Sequence, residues 1–157
     1  MASSIKYANG DVTNPKSDGR KLIIHCCNDI GVMGAGVALA LANKWPKVKT
    51  EYRQWHRSNK GFKLGNVQYV KVKPDIVVVN MIGQKDIRSK GGVAPIRYGA
   101  IGKCLEKVGR AAILNKATVH APKFGSGLAG GSWTKIEEII IAKLCSIDVD
   151  VTVYNYE

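Results

Sequence analysis

Two glycine-rich segments constrain this chain more than any other feature of its sequence. The first runs over residues 28–36 and the second over residues 125–131, and each lies between a strand-like apolar run and a segment with helical spacing. Glycine has no Cβ, so such loops let several backbone N–H groups approach one anion, and a helix that begins just afterwards adds its positive dipole end. Either loop alone would favour an ordinary turn. The pair predicts a crevice that binds phosphate.

The length and composition indicate one globular domain. A chain of 157 residues is long enough to bury roughly 70% of the surface that its unfolded form exposes. We expect a single domain over residues 1–157, with residues 1–4 flexible or left over from a tag. The sequence contains neither a signal-peptide core nor an apolar run of membrane-spanning length. We therefore expect a cytoplasmic monomer that makes no contact with membranes.

The charge is strongly basic, because 24 Lys and Arg residues face 12 Asp and Glu residues, for a net charge of +12. Such a balance attracts polyanions and anionic metabolites. Basic residues cluster over 44–63 and alternate there with Trp45, Tyr52 and Trp55. This stretch is compatible with a nucleic-acid surface, but it also has the pattern of one amphipathic helix with a solvated basic face. Charge alone does not separate the two interpretations.

Cysteine and histidine spacing predicts neither a metal site nor a disulfide framework. Cys26, Cys27, Cys104 and Cys145 form no C-x-x-C pair, and no histidine follows them at zinc-ligand spacing. We expect four small buried thiols in a reducing compartment. We also expect activity that needs no metal and no cofactor.

Hydrophobic periodicity predicts ten elements in the order strand, strand, helix, helix, strand, strand, helix, strand, helix, strand. The run at 76–79 is the strongest strand signal, because its β-branched side chains fit a pleated sheet. The predicted strands cover 5–7, 21–27, 67–72, 76–81, 118–121 and 149–155, and the helices 34–45, 46–58, 101–112 and 133–144. This alternation is typical of a three-layer α/β domain in which ligands bind beyond the carboxyl ends of the strands.

Neither of the two common nucleotide-binding motifs fits these loops. Gly34 and Gly36 begin a G-x-G-x-x-G pattern, but Leu39 occupies the third glycine position and no acidic strand end follows at the required distance. A Walker-type loop needs Lys-Ser or Lys-Thr after its last glycine, whereas Gly131 and Ser132 follow Gly130.

Three segments in the correct order resemble the macro domain, the ADP-ribose-binding fold. They are Tyr-Ala-Asn-Gly-Asp-Val at 7–12, the loop region at 24–38 and the second loop at 122–133, and the resemblance extends over residues 5–154. It implies an α/β/α fold with a central mixed, mostly parallel sheet. The His-Cys-Cys-Asn start, the Met-Gly-Ala-Gly-Val-Ala loop and the Gly-Leu-x-Gly-Gly-x-Trp ending resemble the branch of ADP-ribose 1″-phosphate phosphatases and terminal ADP-ribose glycohydrolases.

The resemblance also implies which residues contact ADP-ribose. Asp11 would accept a hydrogen bond from the adenine amino group beside the Val12 amide, although a solvated turn aspartate has the same pattern. Asn28 would bind the distal ribose hydroxyls, unless it only ends the strand. Tyr154 or Tyr156 would stack on adenine or cap the core. The remaining predicted ligand contacts are Met33, Gly34, Ala35, Gly36 and Val37 in the first loop and Gly125, Ser126, Gly127, Leu128 and Ala129 around the diphosphate.

Catalysis is the least determined part of the resemblance. In the glycohydrolases of this branch a lysine attacks the sugar and an aspartate of the second loop assists, but Ala129 occupies the aspartate position here. Lys85 lies near the lysine position, and Gln84 aligns about as well. The candidate acid, base or phosphate-contacting residues are His25, Asn28, Asp29 and Lys85. A lone histidine on an apolar strand is also typical of the core, and Asp29 also fits a turn.

Three functions therefore remain open at the level of sequence. The first expectation is dephosphorylation of ADP-ribose 1″-phosphate. The second is hydrolysis of ADP-ribose from a modified protein or nucleic acid. The third is a reader module that binds ADP-ribose without turnover.

Overall fold

The computed structural model describes residues 3–127 and 129–155, and its order of elements is the one that the hydrophobic patterns predict. The strands are β1 (Ile5–Asn9), β2 (Lys21–Asn28), β3 (Val67–Lys73), β4 (Ile76–Gln84), β5 (Thr118–Pro122) and β6 (Val151–Asn155). The helices are α1 (Gly36–Lys44), α2 (Lys47–Ser58), α3 (Tyr98–Asn115) and α4 (Trp133–Lys143), with a short 3-10 helix at Cys145–Ile147.

The strands form one six-stranded sheet in the order β1-β6-β5-β2-β4-β3. β3 pairs antiparallel with β4, and the other neighbouring strands are parallel. The predicted mixed, mostly parallel sheet is therefore confirmed. β2 lies between β5 and β4, and seven of its eight residues are buried, which is the pattern of a strand covered on both faces. The carboxyl ends of the five parallel strands share one edge.

Two hydrophobic cores join the helices to the sheet. Successive side chains of β2 point to opposite faces, so Ile23 packs with Leu41 of α1 and Tyr52 of α2, whereas Leu22 and Ile24 pack with α3 and α4. The predicted three-layer arrangement follows from this alternation. Among the described residues, no helix has the length and apolar composition needed to cross a membrane.

The last strand begins at Val151, two residues later than the apolar pattern predicts. Asp148 adopts a left-handed conformation with φ of 65°. The Val149 N–H then donates to the Leu144 carbonyl at 3.1 Å. This bond uses Val149 to close the preceding helical segment, so the strand ladder starts after it.

Ser3 is attached to the body of the domain, although the sequence led us to expect a flexible segment over residues 1–4. Its N–H donates to the Cys145 carbonyl at 3.0 Å, and its hydroxyl donates to the Val149 carbonyl at 2.8 Å. Ser3 therefore belongs to the fold.

All four cysteines are free thiols, of which three are buried and Cys26 is half-buried. Burial raises the pKa of the Cys26 and Cys104 thiols to about 12. The thiolate is the reactive form of cysteine, so these side chains are packing residues rather than nucleophiles at neutral pH.

Candidate functional site

A pocket of about 390 Å³ opens at the carboxyl edge of the sheet, between the end of β1 and the start of α1. It lies beyond the strand ends, as the α/β pattern predicts, and is lined by Gly36 at the end of the first glycine-rich segment and by Pro122 at the end of β5, which precedes the second. Five predicted ligand residues line it together, and the full lining is Gly10, Asp11, Val12, Thr13, Gly36, Val37, Ala40, Pro122 and Tyr154.

Asp11 is held in one orientation by its neighbour Thr13. The Asp11 Oδ1 accepts hydrogen bonds from the Thr13 N–H at 2.9 Å and from the Thr13 hydroxyl at 2.8 Å. Thr13 is buried, whereas Asp11 is exposed at the pocket. Within the described residues Oδ2 of Asp11 accepts no hydrogen bond, so this oxygen is available to a ligand donor.

Tyr154 forms a fixed aromatic wall of the pocket. Its hydroxyl lies 2.7 Å from His120 Nδ1 and accepts the Lys16 N–H at 3.1 Å. Because the Lys16 N–H can only donate, the hydroxyl proton is free to point to a neutral His120. Burial, together with the nearby Lys21 charge, lowers the pKa of His120 to about 4 and keeps it neutral.

The first loop exposes backbone at the start of α1. Ala35 is the N-cap and provides no side-chain cap, so N–H groups of the first turn are available to a ligand. Gly36 has φ of +59°, a conformation that favours glycine. Met33, in contrast, is 3% exposed and packs in the core beneath α1 and α2. We predicted that the Met33 side chain contacts the ligand, but its burial indicates that it anchors this loop in the core.

Asn28 uses its carboxamide to shape the first loop. Its Nδ2 donates to the Val32 carbonyl at 2.6 Å, and its Oδ1 accepts the N–H groups of Ile30 and Val32, each at 3.1 Å. The Tyr52 hydroxyl approaches the same Oδ1 at 2.9 Å. These contacts engage the Asn28 oxygen and one of its two amide N–H donors, and the side chain is buried, so the predicted contact with the distal ribose or a reacting phosphate would use the remaining N–H and stays a prediction.

His25 lies in the core and does not line the pocket. It is 2% exposed, and its Nε2 lies 2.5 Å from Asn80 Oδ1. Asn80 Nδ2 in turn donates to Gln68 Oε1 at 3.0 Å. Burial lowers the pKa of His25 to about 4. The acid–base role predicted for His25 is therefore corrected to that of a hydrogen-bonded core residue.

Asp29 and Lys85 follow neighbouring strands and are close to each other in the fold. Asn28 of β2 is paired with Gln84 of β4. The residues that follow them, Asp29 and Lys85, therefore lie side by side at the sheet edge. Asp29 is half-buried, and its Oδ1 accepts the Asp86 N–H at 2.7 Å. Lys85 is exposed. In the part of the chain that the structure describes, no group of three or more potential metal ligands forms.

The second loop is a closed turn that packs against the segment after β4. The Gly131 N–H donates to the Gly125 carbonyl at 2.8 Å. Gly125 has φ of +77°, and a Cβ there would lie 2.8 Å from side-chain atoms of both Ile96 and Ile136. A larger residue at position 125 would therefore displace the loop.

Other residues of the second loop differ in what they offer a ligand. Gly127 is exposed, and a Cβ at this position would meet open space. The Ser126 hydroxyl donates to the Lys123 carbonyl at 3.0 Å. Ala129 is 6% exposed, and its carbonyl accepts the Ile96 N–H at 3.2 Å. The predicted contacts at Leu128 and Tyr156 lie outside the described residues.

Solved structures with this arrangement identify the family. A protein of unknown function from Bacteroides thetaiotaomicron is 46% identical, with a TM-score of 0.96 over 98% of this chain and 99% of its own. A macrodomain protein from Streptomyces coelicolor is 42% identical, with a TM-score of 0.88 over 98% of this chain and 100% of its own. The chain belongs to the macrodomain family. No family model matches the sequence of this macrodomain.

Curated relatives of the macrodomain carry different names. The Danio rerio Chromodomain-helicase-DNA-binding protein 1-like is 30% identical over 98% of this chain but only 16% of its own length. The Mycobacterium tuberculosis DNA ADP-ribosyl glycohydrolase is 28% identical over 96% of this chain and 42% of its own. A Candida albicans ADP-ribose 1″-phosphate phosphatase is 25% identical over 87% of this chain and 91% of its own. The macrodomain thus spans less than half of the first two relatives.

Two residues that organise the macrodomain site have no clear signal in the sequence. Tyr52 is fully buried and contacts Asn28 from α2, but the helical pattern marks it only as one residue of a basic segment. His120 supports Tyr154 from β5, and no motif surrounds it. Both contacts join distant parts of the chain, which a local pattern does not encode.

Proposed function

We propose that the macrodomain binds ADP-ribose with its adenine in the pocket beside Asp11 and Tyr154. The observation that supports this proposal most directly is the pocket itself, whose volume of about 390 Å³ lies in the range of small-ligand sites. Asp11 offers a carboxylate oxygen to the adenine amino group, and Tyr154 offers a fixed ring. The proposal also agrees with the ADP-ribose chemistry in the names of the relatives.

The diphosphate would lie between the two glycine loops. The uncapped start of α1 supplies N–H groups and the positive end of the helix dipole. Gly36 and Gly127 leave open space where a side chain would otherwise stand. Both features favour an anion on the side of the pocket that faces the second loop.

Within this proposal, the activity that we favour is dephosphorylation of ADP-ribose 1″-phosphate. Water would attack phosphorus, and the bond between phosphorus and the ribose oxygen would break to give ADP-ribose and inorganic phosphate. Asp29 is the residue we propose as base for that water. Its Oδ1 is fixed by the Asp86 N–H, and its partial exposure leaves the carboxylate within reach of solvent.

A second activity is hydrolysis of ADP-ribose from a modified protein or nucleic acid. Lys85 favours it, because this exposed lysine follows β4 next to Asp29. Ala129 counts against it, because its buried methyl group cannot transfer the protons that a lysine nucleophile requires. A macrodomain that binds ADP-ribose and releases nothing would be a reader module.

One experiment separates these functions. Calorimetric titration with ADP-ribose is followed by incubation with ADP-ribose 1″-phosphate and assay of released phosphate. We expect binding and phosphate release by the native protein. Asp29→Asn retains the oxygen that accepts the Asp86 N–H, so it should bind ADP-ribose normally while kcat falls by about 100-fold or more. Asp18→Asn is a control of equal charge change at an exposed position.

The other outcomes are equally informative. Binding without phosphate release, but with release of ADP-ribose from a modified carrier in a Lys85-dependent manner, would favour the glycohydrolase. Binding without any turnover would make the protein a reader. Absence of ADP-ribose binding would overturn the proposed function while leaving the family assignment intact.

A further inference from the structure

Helix α2 carries a cationic groove on its outer face. The groove has a volume of about 240 Å³ and is lined by Lys49, Thr50, Arg53 and Arg57. The three cations recur every four residues, which places them about 6 Å apart along one side of the helix. The acidic residue of α2, Glu51, is 3.7 Å from the Lys47 ammonium. Because Lys49, Arg53 and Arg57 are regularly spaced, they suit a ligand whose negative charges repeat along a chain.

The inner face of the same helix touches the candidate site. The Tyr52 hydroxyl lies 2.6 Å from the Asn28 carbonyl oxygen. The His56 ring packs so closely on Gly31 that a Cβ on this glycine would clash with it. The cationic groove thus lies on the outside of the helix that supports the first loop.

A second cationic element flanks the other side of that loop. The segment after β4 folds back as a hairpin, in which Lys90 and Val93 exchange two backbone hydrogen bonds of 3.0 Å. Its turn, Gly91-Gly92, has φ values of +57° and +78°, as a tight two-residue hairpin requires. At the start of the hairpin, the Asp86 N–H donates a hydrogen bond to the Asp29 carboxylate. Lys85, Arg88 and Lys90 are exposed on this cationic hairpin, residues 85–93, and the Lys90 ammonium lies 3.2 Å from the Asp86 carboxylate.

We propose that the α2 groove binds the phosphodiester backbone of a nucleic-acid strand, with the cationic hairpin as a second contact. A strand lying on these two elements passes the first loop, where the distal ribose of ADP-ribose would emerge. The inference rests on the second activity under the proposed function, hydrolysis of ADP-ribose from a carrier, because it identifies that carrier as a nucleic acid.

Phosphates fit this surface better than the acidic side chains of a protein. Arg53 and Arg57 present planar guanidinium groups that bind phosphate oxygens in pairs, and their spacing is regular. The aromatic residues of α2 are committed to packing, since Tyr52 is fully buried and Trp55 Nε1 donates to the Lys60 carbonyl. Binding therefore depends on backbone charge rather than base stacking, and the net charge of +12 adds long-range attraction.

The test measures binding of a fluorescent single-stranded 12-mer of mixed sequence by anisotropy, between 25 and 200 mM salt. Each phosphate contact contributes about −0.7 to the slope of log K against log salt. Arg53→Glu/Arg57→Glu should bind at least about tenfold more weakly at 50 mM salt, with a slope about 1.4 smaller in magnitude. Lys103→Glu/Arg110→Glu carries the same charge change on α3, across the sheet, and should stay within about threefold of the native protein.

Titration with ADP-ribose separates this inference from the proposed function. Both double variants should bind free ADP-ribose as the native protein does, because neither alters the pocket. Equal losses of oligonucleotide binding in the two double variants would mean that net charge alone acts, and would overturn the groove. Displacement of the oligonucleotide by a poly-glutamate peptide of equal charge would overturn the choice of nucleic acid. Oligonucleotide binding through the groove without ADP-ribose binding would overturn the proposed function and leave the groove as a nucleic-acid site.

Discussion

The Tyr52 hydroxyl lies 2.6 Å from the backbone carbonyl oxygen of Asn28 and 2.9 Å from its Oδ1, so one phenolic proton is shared between two acceptors. The two residues belong to α2 and to the end of β2. Their contact fixes the beginning of the first loop from the helix side. The shape of the candidate site therefore depends on a residue that never touches the pocket.

Tyr52→Phe should lower the free energy of unfolding by about 1–2 kcal/mol, because buried acceptors on Asn28 lose a donor without gaining water. Urea denaturation at neutral pH measures this difference. Tyr69→Phe is the matched control, since the exposed Tyr69 hydroxyl donates to the Lys107 carbonyl at 3.3 Å. Its effect should stay within about 0.5 kcal/mol. Equal losses of unfolding free energy in the two variants would show that the hydrogen bonds from Tyr52 to Asn28 do not stabilise the domain more than an exposed tyrosine contact does.

Gly36→Glu should abolish ADP-ribose binding without unfolding the domain. A side chain at position 36 projects into open space at the pocket and places a carboxylate where the diphosphate would lie. Its φ of +59° adds strain of about 1–2 kcal/mol for a non-glycine residue.

Gly19→Glu separates strain from ligand exclusion. Gly19 also has positive φ, +81°, and open space around its missing Cβ, but it precedes β2 at the opposite end from the pocket. Both variants should therefore melt at similar temperatures, while calorimetric titration should detect ADP-ribose binding only by Gly19→Glu. Native affinity in Gly36→Glu would contradict the predicted path of the diphosphate.

The sequence predicts the order of elements well because burial imposes periodicity. The run at 76–79 is β-branched and mostly buried, and it forms the first part of β4. The loops are found because glycine leaves a local signal, as at Gly36. Side-chain roles are harder to predict, since Asn28 bonds within its own loop and to Tyr52 of α2, and His25 bonds to Asn80 of β4. Asn80, which accounts for His25, is 55 residues away. Such pairings arise from strand register, which no single segment encodes.

The stability of the domain should fall as the pH drops from about 6.5 to 4. Burial lowers the pKa of His25 and His120 to about 4, from the ordinary 6.5. Between these values the unfolded chain binds more protons than the folded protein, so stability is full above pH 6.5 and decreases toward pH 4. Each histidine should lower the free energy of unfolding by roughly 3 kcal/mol as the pH falls over this range.

His25→Gln tests the assignment, because a glutamine amide can still donate to Asn80 Oδ1. Urea denaturation at pH 7 and pH 5 gives the loss of stability for each protein. The loss should be about half as large in His25→Gln as in the native protein, since His120 still titrates. An identical loss in both would exclude His25 as a source of the pH dependence.

Asp11→Asn should change the base preference of the pocket. Oδ1 of residue 11 must remain an acceptor, because it faces the Thr13 N–H at 2.9 Å. The amide nitrogen of asparagine therefore takes the place of Oδ2 and presents a donor to the ligand. Adenine also presents a donor there, through its amino group, whereas hypoxanthine presents a carbonyl acceptor. When two donors face each other, neither has a hydrogen-bond partner, whereas a donor that faces an acceptor forms a hydrogen bond.

Calorimetric titration with ADP-ribose and with inosine diphosphate ribose measures this preference. In Asp11→Asn the affinity for ADP-ribose should fall about tenfold or more, and the ratio of the two affinities should shift toward the inosine ligand. The exposed substitution Asp18→Asn changes the net charge equally and should leave the ratio unchanged. A parallel loss for both ligands in Asp11→Asn would indicate that the carboxylate acts only through its charge. An unchanged ratio would thus remove Asp11 from base recognition, even if the pocket binds ADP-ribose.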